Sequence, residues 1–317
     1  MPEIKAYAPG IYARSEELVQ ATRDLDRSRT TEEAVAAQQD ADLRAFLDVQ
    51  RVAGLDYFSD GLLNWQDIFR PFGAAAEGLH PGPLTRFLNT NTFYRAPAVE
   101  MERPKLVEPL AEPFFRIGDL PRNRWVTTLP SPHALSEWAA GEIEPRAVAE
   151  GILGPQIRWL VGNGCAYVVL QEPAIFARSS DLGDLSEALE SLASPLPLAL
   201  QLPFGDAGDV LGELLELPID AIGVDFYATD VAALPRPFPK TLLAGGVDAR
   251  NSLLEQPEEL AEFGRNLMED LEGPELHLVP NGDLQFVPEK IAREKVLRLG
   301  ATARLLKDQN IEEGAVT

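Results

Sequence analysis

The chain has 317 residues, 45% of them hydrophobic and 25% charged, which are ordinary globular values that exclude disorder for its bulk. No stretch approaches the ~20 consecutive apolar residues that a bilayer span needs, and the opening MPEIKAYAPGIYARS lacks a basic-then-apolar leader pattern. Fifty acidic residues against 28 basic ones give a net charge of −22, which repels phosphate backbones and anionic headgroups and argues against a nucleic-acid or membrane partner.

One cysteine, Cys165, excludes an intrachain disulfide framework and fits a reducing cytoplasm. The three histidines, His80, His133 and His277, lie far apart with no paired metal-ligand spacing. A thiolate-rich zinc site is therefore arithmetically impossible within one chain, and neither zinc nor any other bound cofactor is expected.

In chain order, residues 4–9 form a short apolar strand ending at Gly10, and 16–53 read as one helix stopped by Gly54. LDYFSDG (55–61) reads as a short strand, and LLNWQDIFRPF (62–72) as a helix cut by Pro71. Residues 73–124 break the rhythm: 84–99 are rich in β-branched and aromatic residues and predict a β-ribbon, and 105–118 predict a short helix despite two prolines.

From residue 125 the rhythm is regular. Strands are predicted at 125–130, 166–173, 197–203, 220–226, 240–248 and 275–281. Helices are predicted from His133, then at 145–163, 183–193, 207–216, 229–234, 256–271 and 287–307. Counting the first two, about eight near-continuous apolar strands alternate with helical material, which implies a parallel sheet covered by helices. The expected fold is α/β: a single (β/α)8 TIM barrel over 1–317, with 73–124 as a ribbon and loop insertion after the second unit. No G-x-G-x-x-G follows the first strand, which counts against a dinucleotide-binding sheet.

Barrel chemistry sits at the C-terminal ends of the strands. Those ends supply Tyr12 and Arg14, then Asp60 and Asn64, His133, Gln171 with Glu172, Gln201, Asp225 with Tyr227, Asp248, and Asn281 with Asp283. Glu172, before Pro173, and Asp225 in GVDF suit acid/base work or an amine contact, or else a salt bridge to Arg14 or Arg250 that pins two loops. His133 reads equally as a proton donor and as a solvent-facing helix start. His277 fits a hydrogen-bonded place inside the barrel, and Cys165 a packed thiol at the opposite end. The ribbon TRFLNTNTFYRAP either lines a flat ligand or packs its aromatics on the barrel.

These strand-end motifs resemble those of the cobalamin-independent methionine synthase family, whose barrel is shared with uroporphyrinogen decarboxylases. The resemblance spans nearly the full length and rests on six ordered matches: GIYARS (10–15), AGLDYFSDGLLNWQDIF (53–69), LTRFLNTNTFYRAP (84–97), VVLQEPAI (168–175), LLAGGVDARNSLLEQPEEL (242–260) and HLVPNGDLQFVPEKIAREKVLRL (277–299). It implies a methyltransferase that moves a methyl group from a folate to a thiol such as homocysteine.

The departures from the family pattern are specific. Gln201 and Pro203 stand where the family's zinc barrel has a His-x-Cys, Asp225 where it has a Glu, and Gly282 where it has a Cys. Leu62 replaces the Glu that helps hold the substrate ammonium, and Gln171 the Asp of the D-E-P motif. The resemblance therefore implies a diverged, zinc-free pocket for a small polar or folate-like ligand, with His133, Glu172 and Asp225 as catalytic candidates. Folate is a possible substrate, and a methyl-carrier or folate-supplying protein a possible partner. Two alternatives stand beside it: a non-catalytic or partner-dependent folate or carrier-binding barrel, and a lyase or decarboxylase of the uroporphyrinogen decarboxylase-like branch.

Overall fold

Strand β1 (Ile4–Ala6) runs at the edge of a seven-stranded parallel sheet in the computed structural model, which describes residues 3–176, 182–192, 194–272 and 275–314. Helix α1 (Glu16–Asp26) follows, with the Ser15 hydroxyl accepting from the Leu18 N–H. Then comes α2 (Glu32–Ala53), capped by Thr31 and closed by Gly54 in the left-handed region at φ 70°. The single helix expected over 16–53 is thus two. Thr31 before two glutamates is a start signal, and it restarts the helix after a turn at 27–31.

The helix expected at 62–72 does not form. The Asp67 carboxylate instead accepts the N–H groups of Phe69 (3.0 Å) and Arg70 (2.8 Å), a local turn that competes with helix. Pro71 then sits in the first turn of the short α3 (Arg70–Ala75), where its missing N–H costs nothing. Strand β2 (Ala76–Glu77) pairs with β5 (Lys105–Leu106), and β3 (Leu79–Arg86) pairs antiparallel with β4 (Phe93–Val99), forming the ribbon. No helix forms over 105–118. Pro109 and Pro113 interrupt it, and the Leu110 backbone bonds the Gln156 side chain through both its N–H and its C=O.

After the ribbon come β6 (Trp125–Pro130), α4 (Pro132–Glu137) and α5 (Pro145–Val148), the last passing through a π turn into α6 (Gly154–Gly162). Then follow β7 (Cys165–Gln171), α7 (Leu182–Leu192), β8 (Leu198–Gln201) and the single turn α8 (Leu211–Leu214). The chain ends with β9 (Ala221–Asp225), β10 (Thr241–Val247), α9 (Pro257–Asp270), β11 (Leu276–Pro280) and α10 (Glu289–Gly314). Residue 193, the expected end of the helix at 183–193, lies outside the described residues. The helix expected over 207–216 is mostly turn, and 229–234 holds a 3-10 turn at Val231–Ala233.

The sheet order is β1-β11-β10-β9-β8-β7-β6, all parallel. The predicted strand at 55–61 appears as an irregular segment that bonds both sheet edges. Asp56 N–H donates to the Ala6 carbonyl of β1 (3.0 Å). Phe58 bridges Trp125 of β6, donating to the Arg124 carbonyl (2.9 Å) and accepting from Val126 N–H (2.8 Å).

Two apolar layers follow from strand alternation. The larger lies between the sheet and the helices and includes Val168, Leu170, Leu200, Ile222 and Leu278. The smaller one includes Tyr7, Val126, Tyr167, Val169, Ala199, Ala221, Leu243 and Val279 and fills the concave side of the curled sheet. No helix among the described residues is long and apolar enough to cross a membrane.

Candidate active site at the strand ends

The parity of the inner layer decides which strand-end residues face one another. Stepping by two from Tyr167 and Val169 reaches Gln171, from Ala199 reaches Gln201, from Ala221 reaches Asp225, and from Val279 reaches Asn281. These four therefore share the inner face, and their hydrogen bonds cross it. Gln171 Nε2 donates to Asp283 Oδ1 (2.7 Å), and Gln201 Nε2 to the Pro280 carbonyl (2.8 Å). Asn281 Nδ2 donates to Asp225 Oδ1 (2.9 Å) and is 3.5 Å from Asp248 Oδ1, while its own Oδ1 accepts the Ala249 N–H (2.8 Å). Gly245 makes this crowding possible, because a Cβ there would sit 2.6 Å from the Val224 carbonyl oxygen and 2.9 Å from Asn281 Cα.

Asp283 is the hub of the net. Its carboxylate also accepts the Ile11 N–H (3.0 Å) and the Gln285 amide (3.1 Å). Full burial pushes its pKa up to about 6, against the lowering effect of those three donors. Burial likewise raises Asp225, opposed by the bonds from Asn281 and the Tyr227 N–H. Among the described residues Asp225 Oδ2 has no hydrogen-bond partner, although Arg250 Nη2 stands 3.9 Å away. The Arg250 guanidinium lies over the Phe204 ring at 4.4 Å. Phe204 holds a left-handed φ of 64° and lays its ring over Gly282, where a Cβ would come within 2.5 Å of it.

Glu172 has the opposite parity to Gln171. Its Oε1 accepts the Ala174 N–H (3.0 Å), and its Oε2 takes the Ser131 hydroxyl and lies 3.1 Å from His133 Nδ1. Ser131 also caps α4 through the Ala134 N–H. Burial alone would lower the His133 pKa, but the bond and charge of Glu172 outweigh it and raise it. This buried trio ties the end of β6 to the end of β7.

Of the remaining candidates, Tyr227 and Asp248 adjoin the net and the others are placed apart. Asp60 is a loop brace that accepts the N–H groups of Leu62 (3.1 Å) and Arg116 (2.8 Å). Asn64 bonds Gln39 and the Pro113 carbonyl. Tyr227 is half exposed and bonds the Gly246 carbonyl and Glu255. Asp248 accepts the Arg250 N–H (3.0 Å). Tyr12 is buried, stacks on Phe46 at 3.9 Å, and its hydroxyl has no hydrogen-bond partner among the described residues. Arg14 lines a cavity of about 400 Å³ beneath the ribbon turn. His277 bonds Tyr7 and Glu275 within the inner layer, and Cys165 is buried with Sγ against the Tyr167 carbonyl.

Four further residues shape the mouth: Ser131, Phe204, Phe286 and Trp138. Phe204, Phe286, Phe87 and Trp138 form a chain of ring contacts at 5.3, 5.5 and 5.3 Å, and Tyr94 stacks on Trp138 at 5.2 Å. Of the two readings left open for the ribbon, Phe87 and Tyr94 follow the packing one. The usable signal was the aromatic pair at ribbon spacing together with a lone Phe after the last strand.

The residues present do not fit a zinc ion at the places the resemblance suggests. Gln201 is engaged with a carbonyl, Gly282 has no side chain, and Asp225 alone remains as a donor. Among the described residues, no group of three or more His, Cys, Asp or Glu is placed to hold a metal.

No model of a known protein family matches the chain. The methionine synthase of Sulfurisphaera tokodaii is 22% identical over 99% of this chain and 96% of its own length. That of Saccharolobus solfataricus is 24% identical over 90% and 89%. Among solved structures, a B12-independent methionine synthase from Shewanella sp. W3-18-1, in complex with selenomethionine, superposes with a TM-score of 0.74 at 17% identity, covering 98% of this chain and 99% of that one. A putative vitamin-B12 independent methionine synthase from Listeria monocytogenes gives 0.70 at 15% identity, covering 96% and 98%. Ordered motifs, near-complete coverage of methionine synthases and a shared curled-sheet fold agree: the chain is similar along nearly its whole length to cobalamin-independent methionine synthases.

Proposed function

We propose that the chain is a single closed eight-stranded barrel over 1–317, with 56–59 as the irregular eighth strand and 73–124 as an insertion. Its mouth takes a small polar or folate-like ligand without zinc and serves methyl transfer from a folate to a thiol such as homocysteine. The acidity and the lone buried cysteine suit a cytoplasmic protein that engages neither nucleic acid nor membrane.

One observation carries the reading: Asp225 Oδ2 is the only buried carboxylate oxygen, among the described residues, without a hydrogen-bond partner. Methyl transfer to sulfur forms an S–C bond as the donor's N–C bond breaks; the thiol gives up its proton, and the departing nitrogen keeps the electron pair of that bond and takes up a proton. In the resemblance, zinc makes the thiolate by lowering the thiol pKa. Here Asp225, raised by burial, is the proton acceptor, and Arg250 stabilises the anion that results. Glu172 and His133 act as positioning residues, since both oxygens of Glu172 are engaged in tying two strand ends together.

The experiment is metal analysis of the purified chain followed by methyl transfer to homocysteine from a methylated folate, with Asp225→Asn in parallel. The expected result is substoichiometric zinc, measurable transfer, and loss of transfer in Asp225→Asn of about a hundredfold or more with folate binding retained. Stoichiometric zinc together with transfer would overturn the zinc-free reading.

A second reading is favoured by the saturation of the mouth. Gln171, Gln201, Asn281 and Asp283 bond one another or the backbone, as in a barrel that binds folate or a methyl-carrier protein without turning it over. Stabilisation by folate in a thermal-shift assay with no transfer would select it.

A further inference from the structure

Beside the strand-end net lies a cavity of about 400 Å³, walled by the loop after β1, the start of α3, the ribbon turn and the loop before α10. Two arginines line it, Arg14 and Arg70. Arg70 is held in place by Asp67 (Nε to Oδ2, 3.2 Å) and Gln66 (Nη1 to Oε1, 2.7 Å). Arg14 has no hydrogen-bond or ion-pair partner among the described residues, although most of its side chain is covered. Burial, and next the like charge of Arg70, lower its pKa, with Asp42 opposing. Asp42 is committed elsewhere, to the Ser15 N–H (2.9 Å), the Ser15 hydroxyl (2.8 Å) and Gln38 (2.9 Å).

Two cations sharing a partly desolvated wall repel, and a buried cation without a partner is costly. An arrangement of this kind becomes favourable once an anion enters. The wall holds one carboxylate, Glu289, against the two guanidiniums. Asn91 adds a donor: its Oδ1 faces Arg86 at 3.4 Å, which leaves its NH2 group to give.

We propose that this cavity is an oxyanion subsite, taking a carboxylate or phosphate group of a ligand between Arg14 and Arg70. The planar fork of an unpaired arginine matches such groups through two parallel N–H···O bonds. Gln285 lines the cavity and also donates to Asp283 (3.1 Å), which in turn holds Gln171, so a ligand anchored here lies next to the mouth. The inference deepens the ligand-binding reading of that mouth and rests on it for location only, because anion binding is measured without any methyl donor.

The test is calorimetric titration of the full chain at low salt with inorganic phosphate and with glutarate, using glutaramide as the neutral control. Saturable binding of phosphate alone assigns the site to a phosphate-bearing ligand, and binding of glutarate alone to a carboxylate-bearing one. Arg14→Gln and Arg70→Gln are each expected to weaken that binding about tenfold, and Arg14→Lys less. Arg14→Gln removes no hydrogen bond, so its thermal midpoint should match or exceed that of the parent, which keeps the variant readable. Asp225→Asn should leave anion binding unchanged even where it abolishes transfer, which separates a failure of the mouth reading from a failure of this one. No saturable binding of either anion to the folded chain, or binding in both Gln variants as tight as in the parent, would overturn the proposal.

Discussion

The two sides of the mouth at the strand ends are built on opposite terms. Across β7 to β11, amides and carboxylates face one another over the inner layer and are matched by hydrogen bonds, down to a single unused oxygen on Asp225. Beside the end of β1, only a few residues away, Arg14 is left unmatched in an open cavity. The first arrangement specifies a shape and holds it, since a satisfied buried polar network is rigid. The second leaves interaction energy unrealised until something binds. A mouth that combines both can keep its framework fixed while changing occupancy, and each half predicts a different kind of mutant.

The matched half should be the fragile one. Asp283→Ala removes the acceptor of the Ile11 N–H and of the Gln171 and Gln285 amides, leaving buried donors unpaired. The expected loss is about 3–5 kcal/mol of unfolding free energy, read by urea denaturation. A loss below about 1 kcal/mol would mean that the net does not hold the mouth.

The same carboxylate makes stability depend on pH, with a sign opposite to that of an ordinary salt-bridged aspartate. Asp283 has a pKa of about 6 when folded, against about 3.9 in an unfolded chain. Its neutral form is therefore favoured by folding. That contribution is fully present below about pH 4 and is lost as pH rises through 6, a change of about 3 kcal/mol. Other groups titrate in the same window, so the quantity to measure is the stability difference between the parent and Asp283→Asn at pH 4 and pH 7. The asparagine variant should gain on the parent as pH rises.

How much of this contrast can be read without coordinates depends on the period of each element. Alternation along buried strands places Gln171, Gln201, Asp225 and Asn281 on one face, and all four belong to the list of strand-end residues drawn from sequence alone. The same alternation separates Glu172 from Gln171, yet a strand-end reading takes both, because it counts the loop as part of the mouth. Asp60 and Asn64 fail to join the net for another reason. Asp67 and Asp60 close local turns with backbone N–H groups, and the helix that 62–72 suggests gives way to those turns. Asp67 also accepts the Arg95 N–H from the ribbon, a contact between segments 28 residues apart that no local pattern announces. The aromatic roof has the same character, since Phe87, Trp138, Phe204 and Phe286 come from four separate connections.

That roof offers a smaller perturbation. Gly282→Ala would place a methyl group 2.5 Å from the Phe204 ring and push the ring off its seat, at about 1–3 kcal/mol. Adding Phe204→Ala should recover part of the loss, and the double-mutant cycle measures how much of the cost is that one contact. Additive losses would show that the clash is relieved elsewhere.

The smallest expected effect bears most directly on the contrast. Tyr12 lies two residues before Arg14, and its buried hydroxyl, like the Arg14 guanidinium, has no hydrogen-bond partner among the described residues. If the hydroxyl serves only the fold, Tyr12→Phe keeps the stacking on Phe46 and removes an unsatisfied group, so stability should stay level or rise by up to about 1 kcal/mol. If it waits for a ligand as Arg14 does, the same variant should fold equally well and bind that ligand about tenfold more weakly. Stability and affinity measured on one protein therefore decide whether the unmatched side of the mouth begins at Arg14 or already at Tyr12. A loss of stability with unchanged affinity would assign Tyr12 to the framework and confine the open side to the cavity beneath the ribbon.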